Sequence, residues 1–223
     1  MIDKGYIWRV GQPDSPAWPK RFGGGSIVRL LIATTNPGKV REYQTLLQGL
    51  DLQLVGLSEV GITTEVEETG ATYAENAELK AQAYASMSGL LTLADDSGLE
   101  VGMLNGRPGV RSARYAGDSA QRIEKLLGEL HHVPDEQRVA CFQCAIALAW
   151  PDGRVETVTG ACDGRIAHEP RGTNGFGYDP VFFIPEHQAT LAELPEYFKN
   201  TVSHRARAAQ KARLILEQIL SAP

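Results

Sequence analysis

The sequence predicts an α/β fold built around a mixed β-sheet. In the first half of the chain, apolar runs of strand length alternate with segments of helical periodicity, as in β-α-β units. In the second half, the apolar runs 139–150 and 154–160 flank Pro151-Asp152-Gly153, which is typical of a β-hairpin turn. Parallel strands from the first part and an antiparallel pair from the second together give a mixed sheet.

The composition is that of a folded globular protein and excludes several classes. The chain has 223 residues, of which 43% are hydrophobic and 22% charged, so it is not a disordered chain. A formal charge of −5 argues against a nucleic-acid partner, and no apolar run approaches the ~20 residues that span a membrane. Three cysteines and no secretory signal lead us to expect reduced thiols and a cytoplasmic location.

Residues 1–26 differ in composition from the rest of the chain. They contain three prolines, five glycines and two of the three tryptophans, and they end in the linker-like run GGGS. We therefore expect an N-terminal extension of unknown role over 1–26 and a single domain over 27–223.

The elements of the predicted domain follow in order. Strand 28–33 leads through the polar loop 34–38 into a helix, and strand 52–57 follows. Thr72 and Glu75 form a capping box at the start of a second helix. Further along, the sequence predicts a buried strand over 90–94, a helix over 119–130, a glycine-rich loop over 171–180 and a final helix over 203–220.

The loop after the first predicted strand is a candidate phosphate site. It opens a helix, where the backbone N–H groups and the helix dipole favour an anion. It resembles a P-loop, but Ala33 and Val40 stand where that motif has Gly and Ser or Thr, which excludes a Walker-type ATPase. Phosphate binding through Lys39 and an ordinary turn both remain open at this point.

Acidic pairs form a second candidate site. Asp95 and Asp96 come directly after the predicted strand 90–94, and Glu67 and Glu68 lie in another loop. Such carboxylates suit Mg²⁺, and one of them could take a proton from water. The alternative is an exposed turn, in which Asp is common.

Two later segments offer groups that suit a nucleobase. Phe176 and Tyr178 supply flat faces beside the acceptor Asp179, although a rigid loop with its aromatic rings in the core would look the same. Ser203 is a good N-cap, but His204 and Arg205 then place cations where the helix dipole disfavours them. Cations that go against the helix dipole in this way indicate a functional position. The alternative is that they belong to a solvated basic face of the helix.

Seven short motifs resemble those of the inosine triphosphate pyrophosphatase family, also described as XTP/dITP diphosphatases, and the likeness spans about 28–220. The motifs are TTNPGK (34–39), EETG (67–70), ENAELK (75–80), ADDSGL (94–99), RPGVRSARY (107–115), GFGYDPVF (175–182) and KNTVSHR (199–205). Each motif alone is weak evidence, whereas seven in register are specific.

The resemblance implies an elongated, two-lobed α/β fold with flanking helices and a central substrate cleft. It implies a Mg²⁺-dependent hydrolase acting on acid anhydrides, which splits ITP, dITP or XTP into the monophosphate and pyrophosphate, usually as a homodimer. Asp96 would activate the water, and Asp96 and Glu68 would hold the metal. The substrate-binding residues would be Thr34, Thr35, Asn36, Pro37, Gly38, Lys39, Ser97, Phe176, Gly177, Tyr178, Asp179, Lys199, His204 and Arg205.

Two other functions compete with this interpretation. A related pyrophosphatase for modified pyrimidine or 7-methylguanine nucleotides would share the phosphate chemistry, but the segments 176–179 and 203–205 argue against it. A regulatory nucleotide-binding module would need no group that activates water, so Asp95 and Asp96 weigh against that function. Release of pyrophosphate from ITP would separate an enzyme from such a module.

Deletion of residues 1–26 is expected to leave triphosphate turnover and the thermal unfolding midpoint nearly unchanged, because the motifs begin after this segment. Steady-state rates and thermal melts of the truncated and full-length proteins measure this. Insoluble or inactive truncated protein would instead mean that Trp8 or Trp18 packs on the domain.

Overall fold

The computed structural model describes residues 27–221, which form one open seven-stranded sheet with helices on both faces. The predicted extension 1–26 lies outside the described residues. Within the described part, no helix is both long enough and apolar enough to cross a bilayer. The three cysteines are free thiols.

The predicted strands and helices occur in the predicted order, together with two short strands and one short helix that the sequence did not predict. The strands are β1 Val28–Ile32, β2 Leu52–Gly56, β3 Leu91–Val101, β4 Val139–Ala149, β5 Val155–Ile166, β6 Phe182–Ile184 and β7 Ala189–Thr190. The α-helices are α1 Pro37–Leu46, α2 Tyr73–Ser88, α3 Ser119–Glu129, α4 Glu196–Val202 and α5 His204–Ser221.

The sheet is mixed, as predicted. Its strand order is β2-β1-β3-β4-β5-β6-β7. Strand β1 runs parallel to both β2 and β3, and the remaining neighbours are antiparallel. The β1–β3 pairing ends at Ile32 opposite Leu93, whereas β3 continues to Val101. Beyond that point the segment 107–112 covers this edge of β3, with Glu100 bridged to Pro108 and the amide of Leu99 donating to the Ser112 hydroxyl.

Helices cover both faces of one part of the sheet, which we call the first lobe. Tyr43 of α1 and Ala212 and Leu216 of α5 pack against Ile146 and other apolar residues on one face. On the opposite face, α2 presents a stripe of small buried side chains, Ala77, Ala81 and Ala85, which lets the helix lie close to the sheet. The predicted capping box of Thr72 and Glu75 at the start of α2 is confirmed.

A second lobe forms around the far ends of the long strands. Leu126 and Leu130 from the α3 region pack with Val101 of β3 and with Phe182 and Ile184 of β6 in a separate hydrophobic cluster. The long strands β3, β4 and β5 run through both clusters, which gives the two-lobed arrangement that the family resemblance implied.

Two predicted strands end too early. Strand β5 continues to Ile166 instead of ending at 160. The sequence placed Asp95–Gly98 in a loop after a strand, but these residues lie inside β3. Strand β4 supplies a partner for each of them, from Ile146 opposite Asp95 to Gln143 opposite Gly98. This pairing, together with burial, overrides the low intrinsic strand preference of Asp and Gly.

Gly160 allows α5 to approach β5, and its replacement should destabilise the protein. A Cβ at Gly160 would lie 2.3 Å from the carbonyl oxygen of His204 and 2.4 Å from the amide nitrogen of Ala208. We expect Gly160→Ala to lower the free energy of unfolding by about 1–3 kcal/mol, because backbone must shift. Urea denaturation measures this.

Gly128→Ala is the matched control for Gly160→Ala. Gly128 lies in α3, and a Cβ there would meet nothing within 4 Å. It should raise the free energy of unfolding by about 0.5–1 kcal/mol, because alanine loses less entropy in a helix. Equal effects of the two substitutions would contradict the contact argument.

Candidate active site

One cleft of about 1050 Å³ brings the predicted site residues together. Every residue predicted to bind substrate or metal lines it, with the exception of Gly38. Gly38 is buried behind Phe176, and a Cβ there would lie 2.6 Å from the Cδ1 atom of that ring. The cleft lies at the carboxyl end of β1, where ligands bind in open α/β sheets.

Side chains of the loop between β1 and α1 accept hydrogen bonds from several of the backbone amides at this site. Asn36 caps α1, and its Oδ1 accepts hydrogen bonds from the amides of Gly38 (2.8 Å) and Lys39 (3.3 Å). The Thr34 hydroxyl accepts from the Asn36 amide. We expected loop amides to neutralise phosphate charge, but these three are already bonded. Attraction for an anion therefore comes from Lys39 and from the helix dipole.

Asp95 and Asp96 lie on opposite faces of the sheet, because successive side chains of a strand alternate. Asp95 points towards the face covered by α1 and α5. Its Oδ2 lies 2.9 Å from Nζ of Lys39 and 3.3 Å from Nε of Arg205. Burial raises the pKa of Asp95, but these two cations outweigh burial and hold the pKa well below its usual range. Asp95 is thus an ionised anchor for both cations.

Asp96 points into the cleft on the face covered by α2. Its carboxylate accepts hydrogen bonds from Nδ2 of Asn76 (3.0 Å) and from the amide of Ser97 (2.9 Å). Burial raises the pKa of Asp96, and the charge of Glu68 adds to this against the lowering effect of Lys80. A buried carboxylate with a raised pKa is suited to accept a proton.

Glu68 is held by two cations at the rim of the cleft. Its Oε1 lies 2.5 Å from Nζ of Lys80, and its other oxygen contacts Arg114. Lys80 also donates to the backbone carbonyl of Asp95. Burial raises the pKa of Glu68, but Lys80 and Arg114 outweigh burial, so the net pKa lies below the ordinary value.

Asp96 and Glu68 fit a magnesium ion. Among residues 27–221 there is no cluster of three or more His, Cys, Asp or Glu side chains that could hold a metal on their own. Mg²⁺ needs no such cluster, since it typically takes one or two carboxylates together with substrate phosphates. Burial is the main cause of the raised pKa of Asp96, with a smaller contribution from the charge of Glu68, and a divalent cation would offset both.

The predicted base-side cations lie together but are already paired. Nζ of Lys199 lies 2.7 Å from Glu42 and 2.5 Å from Asp179, and Arg205 lies 2.6 Å from Glu42. Arg205 also donates to the Ser97 hydroxyl. Sequence reasoning missed Glu42, although its position three residues after Lys39 places both on one face of α1.

The two aromatic residues predicted to contact the base, Phe176 and Tyr178, lie in different surroundings. Phe176 faces the cleft, with Nζ of Lys199 4.8 Å from its ring centroid. Tyr178 is mostly buried in the second lobe, and its hydroxyl donates to the Ser112 carbonyl (2.9 Å). The alternative of a rigid loop with aromatics in the core thus describes Tyr178 and not Phe176.

His204 presents a neutral imidazole to the cleft. Its ring stacks on Phe142 with centroids 4.5 Å apart. Burial, followed by the charges of Arg205 and Lys199, holds the pKa of His204 well below its usual range. Its Nδ1 has no hydrogen-bond partner among the described residues. A buried ring nitrogen without a partner is costly unless a ligand supplies one.

Sequence reasoning also missed Asn76, Lys80 and Arg114 as site residues. All three belong to motifs that carry the family resemblance, yet only the structure shows their contacts with Asp96 and Glu68. Lys80 and Asn76 are four residues apart on α2, so a shared helix face was the available signal.

The fold and the site define an α/β protein with a cleft lined by lysine and arginine cations, carboxylates and the ring of Phe176. The chain belongs to the Ham1 family, whose model matches residues 30–214. It is 48% identical over 190 residues to the dITP/XTP pyrophosphatase of Bacillus subtilis, a match that covers 84% of this chain and 96% of that protein. It is 51% identical over 185 residues to the dITP/XTP pyrophosphatase of Geobacter sulfurreducens, covering 82% and 93%.

Solved structures agree with this assignment. A HAM1 protein from Coxiella burnetii matches with a TM-score of 0.78 at 42% identity, over 86% of this chain and 99% of that one. The Ham1 protein of Staphylococcus aureus matches with a TM-score of 0.77 at 40% identity over the same shares. The family predicted from the sequence is confirmed, and with it the assignment to the hydrolases that act on acid anhydrides.

Proposed function

We propose that this protein hydrolyses the non-canonical purine nucleoside triphosphates dITP, XTP and ITP to the monophosphate and pyrophosphate. The observation that carries the proposal is the arrangement of the cleft. The cleft combines Lys39 at a helix start and the buried carboxylate of Asp96 with the ring of Phe176 and the neutral His204. The names of the relatives support this substrate class.

The phosphate end would bind and orient the triphosphate. Lys39 supplies a positive charge at the start of α1, and Thr34 and Thr35 supply hydroxyl groups beside it. Phosphoryl transfer depends mainly on such positioning and charge neutralisation. Mg²⁺, held by Asp96 and Glu68, would add charge neutralisation on the phosphate oxygens.

Asp96 would accept the proton of the attacking water. The water oxygen forms a bond to phosphorus, the α–β anhydride bond breaks, and pyrophosphate leaves with the bonding electron pair. The hydrogen bonds from Asn76 and Ser97 fix the orientation of the carboxylate for this step. Its raised pKa brings its affinity for a proton closer to that needed near neutral pH.

The base end would read the 6-keto group of hypoxanthine and xanthine. Phe176 offers a ring face, and Lys199, Arg205 and the neutral His204 offer N–H groups. Adenine carries an amino donor at this position, so it offers these N–H groups no acceptor. Asp179 fixes Lys199 and also accepts from the Phe176 amide (2.8 Å), which ties the stacking loop to the cations.

The proposal also includes the oligomeric state and the cellular location of the enzyme. The family resemblance supports a homodimer, and a cytoplasmic location is part of the same proposal. Sedimentation equilibrium and fractionation of cells that express the protein test these two points.

Asp96→Asn should lower turnover of dITP at least ~10²-fold, because it removes the proton acceptor and one metal ligand. The fold should persist, since the substitution keeps the shape of the side chain and removes a charge that burial disfavours. Asp163→Asn is the matched control, because Asp163 is exposed on β5 outside the cleft lining. Near-normal turnover by a folded Asp96→Asn protein would disprove the assignment.

A substrate panel should rank dITP, XTP and ITP above GTP and ATP by several orders of magnitude in kcat/KM, since buried polar groups reject a mismatched analogue strongly. Guanine also carries a 6-keto group, so rejection of GTP requires that its 2-amino group be refused separately. His204→Phe keeps a ring over Phe142 and removes both ring nitrogens, so it should reduce activity on ITP more than activity on ATP. Pyrophosphate release measures both. Equal rates with ATP and ITP in the wild type, or an unchanged ratio in the variant, would overturn the base assignment.

A further inference from the structure

The segment 62–70, called the acidic loop below, contains no helix or strand, yet one face of α2 holds it along its length. Asn76, Lys80 and Tyr84 are spaced four residues apart, so their side chains lie in a row on that face. Each of the three hydrogen bonds to a different part of the acidic loop.

The contacts follow the loop in reverse order along the helix. Oδ1 of Asn76 accepts from the amide of Gly70 (2.7 Å), and Lys80 donates to Glu68 (2.5 Å). The Tyr84 hydroxyl accepts from the amide of Val66 (3.3 Å) and donates to the carbonyl of Thr64 (3.2 Å). The loop therefore runs antiparallel to α2 and is fixed at three successive points.

Tyr84 differs from the other two residues in what else it touches. Asn76 also bonds to Asp96, and Lys80 also bonds to the Asp95 carbonyl, so changes at either would disturb β3 directly. The ring of Tyr84 packs in the hydrophobic cluster under α2, and both of its hydroxyl hydrogen bonds go to the acidic loop. The hydroxyl can therefore be removed while the packing is kept.

We propose that Tyr84 is a positioning residue that holds the acidic loop so that Glu68 faces Asp96 across the proposed metal site. The inference rests on the proposed function for its catalytic consequence. The hydroxyl fixes the backbone on both sides of Glu65, three residues before Glu68. A loop that is ordered in advance needs no ordering when the cation binds, so the hydroxyl raises cation affinity without touching the cation.

Tyr84→Phe tests this by removing one oxygen atom. Tyr43→Phe is the matched control, because the Tyr43 hydroxyl is also buried but has no hydrogen-bond partner among the described residues. The first measurement is amide hydrogen exchange of the metal-free proteins. The second is the Mg²⁺ concentration for half-maximal turnover of dITP, together with kcat at saturating Mg²⁺.

We expect faster exchange over residues 62–70 in Tyr84→Phe alone. Half-saturation should need about three- to tenfold more Mg²⁺, as expected for the loss of one or two ordinary hydrogen bonds. The value of kcat at saturating Mg²⁺ should stay within about twofold, because the catalytic groups themselves are unchanged.

Three results would overturn the proposal. These are unchanged exchange in the acidic loop, equal effects of the two Phe substitutions, and a lowered kcat with unchanged Mg²⁺ dependence. If the wild-type protein turned over no triphosphate, the proposed function would fail, and the exchange experiment alone would decide whether Tyr84 positions the loop.

Discussion

A chain of alternating buried charges connects the two ends of the cleft, and the geometry of the site depends on it. The chain runs Lys39, Asp95, Arg205, Glu42, Lys199, Asp179, and each neighbouring pair lies within 3.3 Å. Its three positive and three negative charges sum to zero. Buried charges are tolerated when they are paired in this way, whereas removal of one partner leaves the other uncompensated.

The chain of charges links elements that are distant in sequence. Helix α1 supplies Lys39 and Glu42, β3 supplies Asp95, and the α4–α5 region supplies Lys199 and Arg205. Each cation at the base end is therefore fixed by a carboxylate that also contacts another element. Rigid placement of this kind is what substrate positioning requires, and no loop has to achieve it alone.

The sequence was sufficient to predict the family, the mixed sheet and a set of site residues of which all but Gly38 line the cleft. The family resemblance assigned a role to Asp96 alone, but the sequence did not show that Asp95 and Asp96 face opposite sides of the sheet. Their opposite orientation follows from β3 continuing through them, and β3 continues because β4 pairs with it. Such long-range pairing leaves no local signature. For the same reason Glu42 looked like an ordinary helix residue, and Tyr178 looked equivalent to Phe176.

The charge chain also constrains how a new base preference could arise in this scaffold. A single charge change at Lys199 or Arg205 would leave a buried carboxylate unpaired in a chain of ion pairs that extends to Lys39. A substitution that improved recognition of a new base would therefore also disturb phosphate binding. The uncharged positions Phe142, Phe176 and His204 stand outside the chain while touching the same space. Divergence towards other nucleobases is therefore easiest through substitutions that change the shape and polarity of the side chains at these three positions, while the chain of ion pairs stays unchanged.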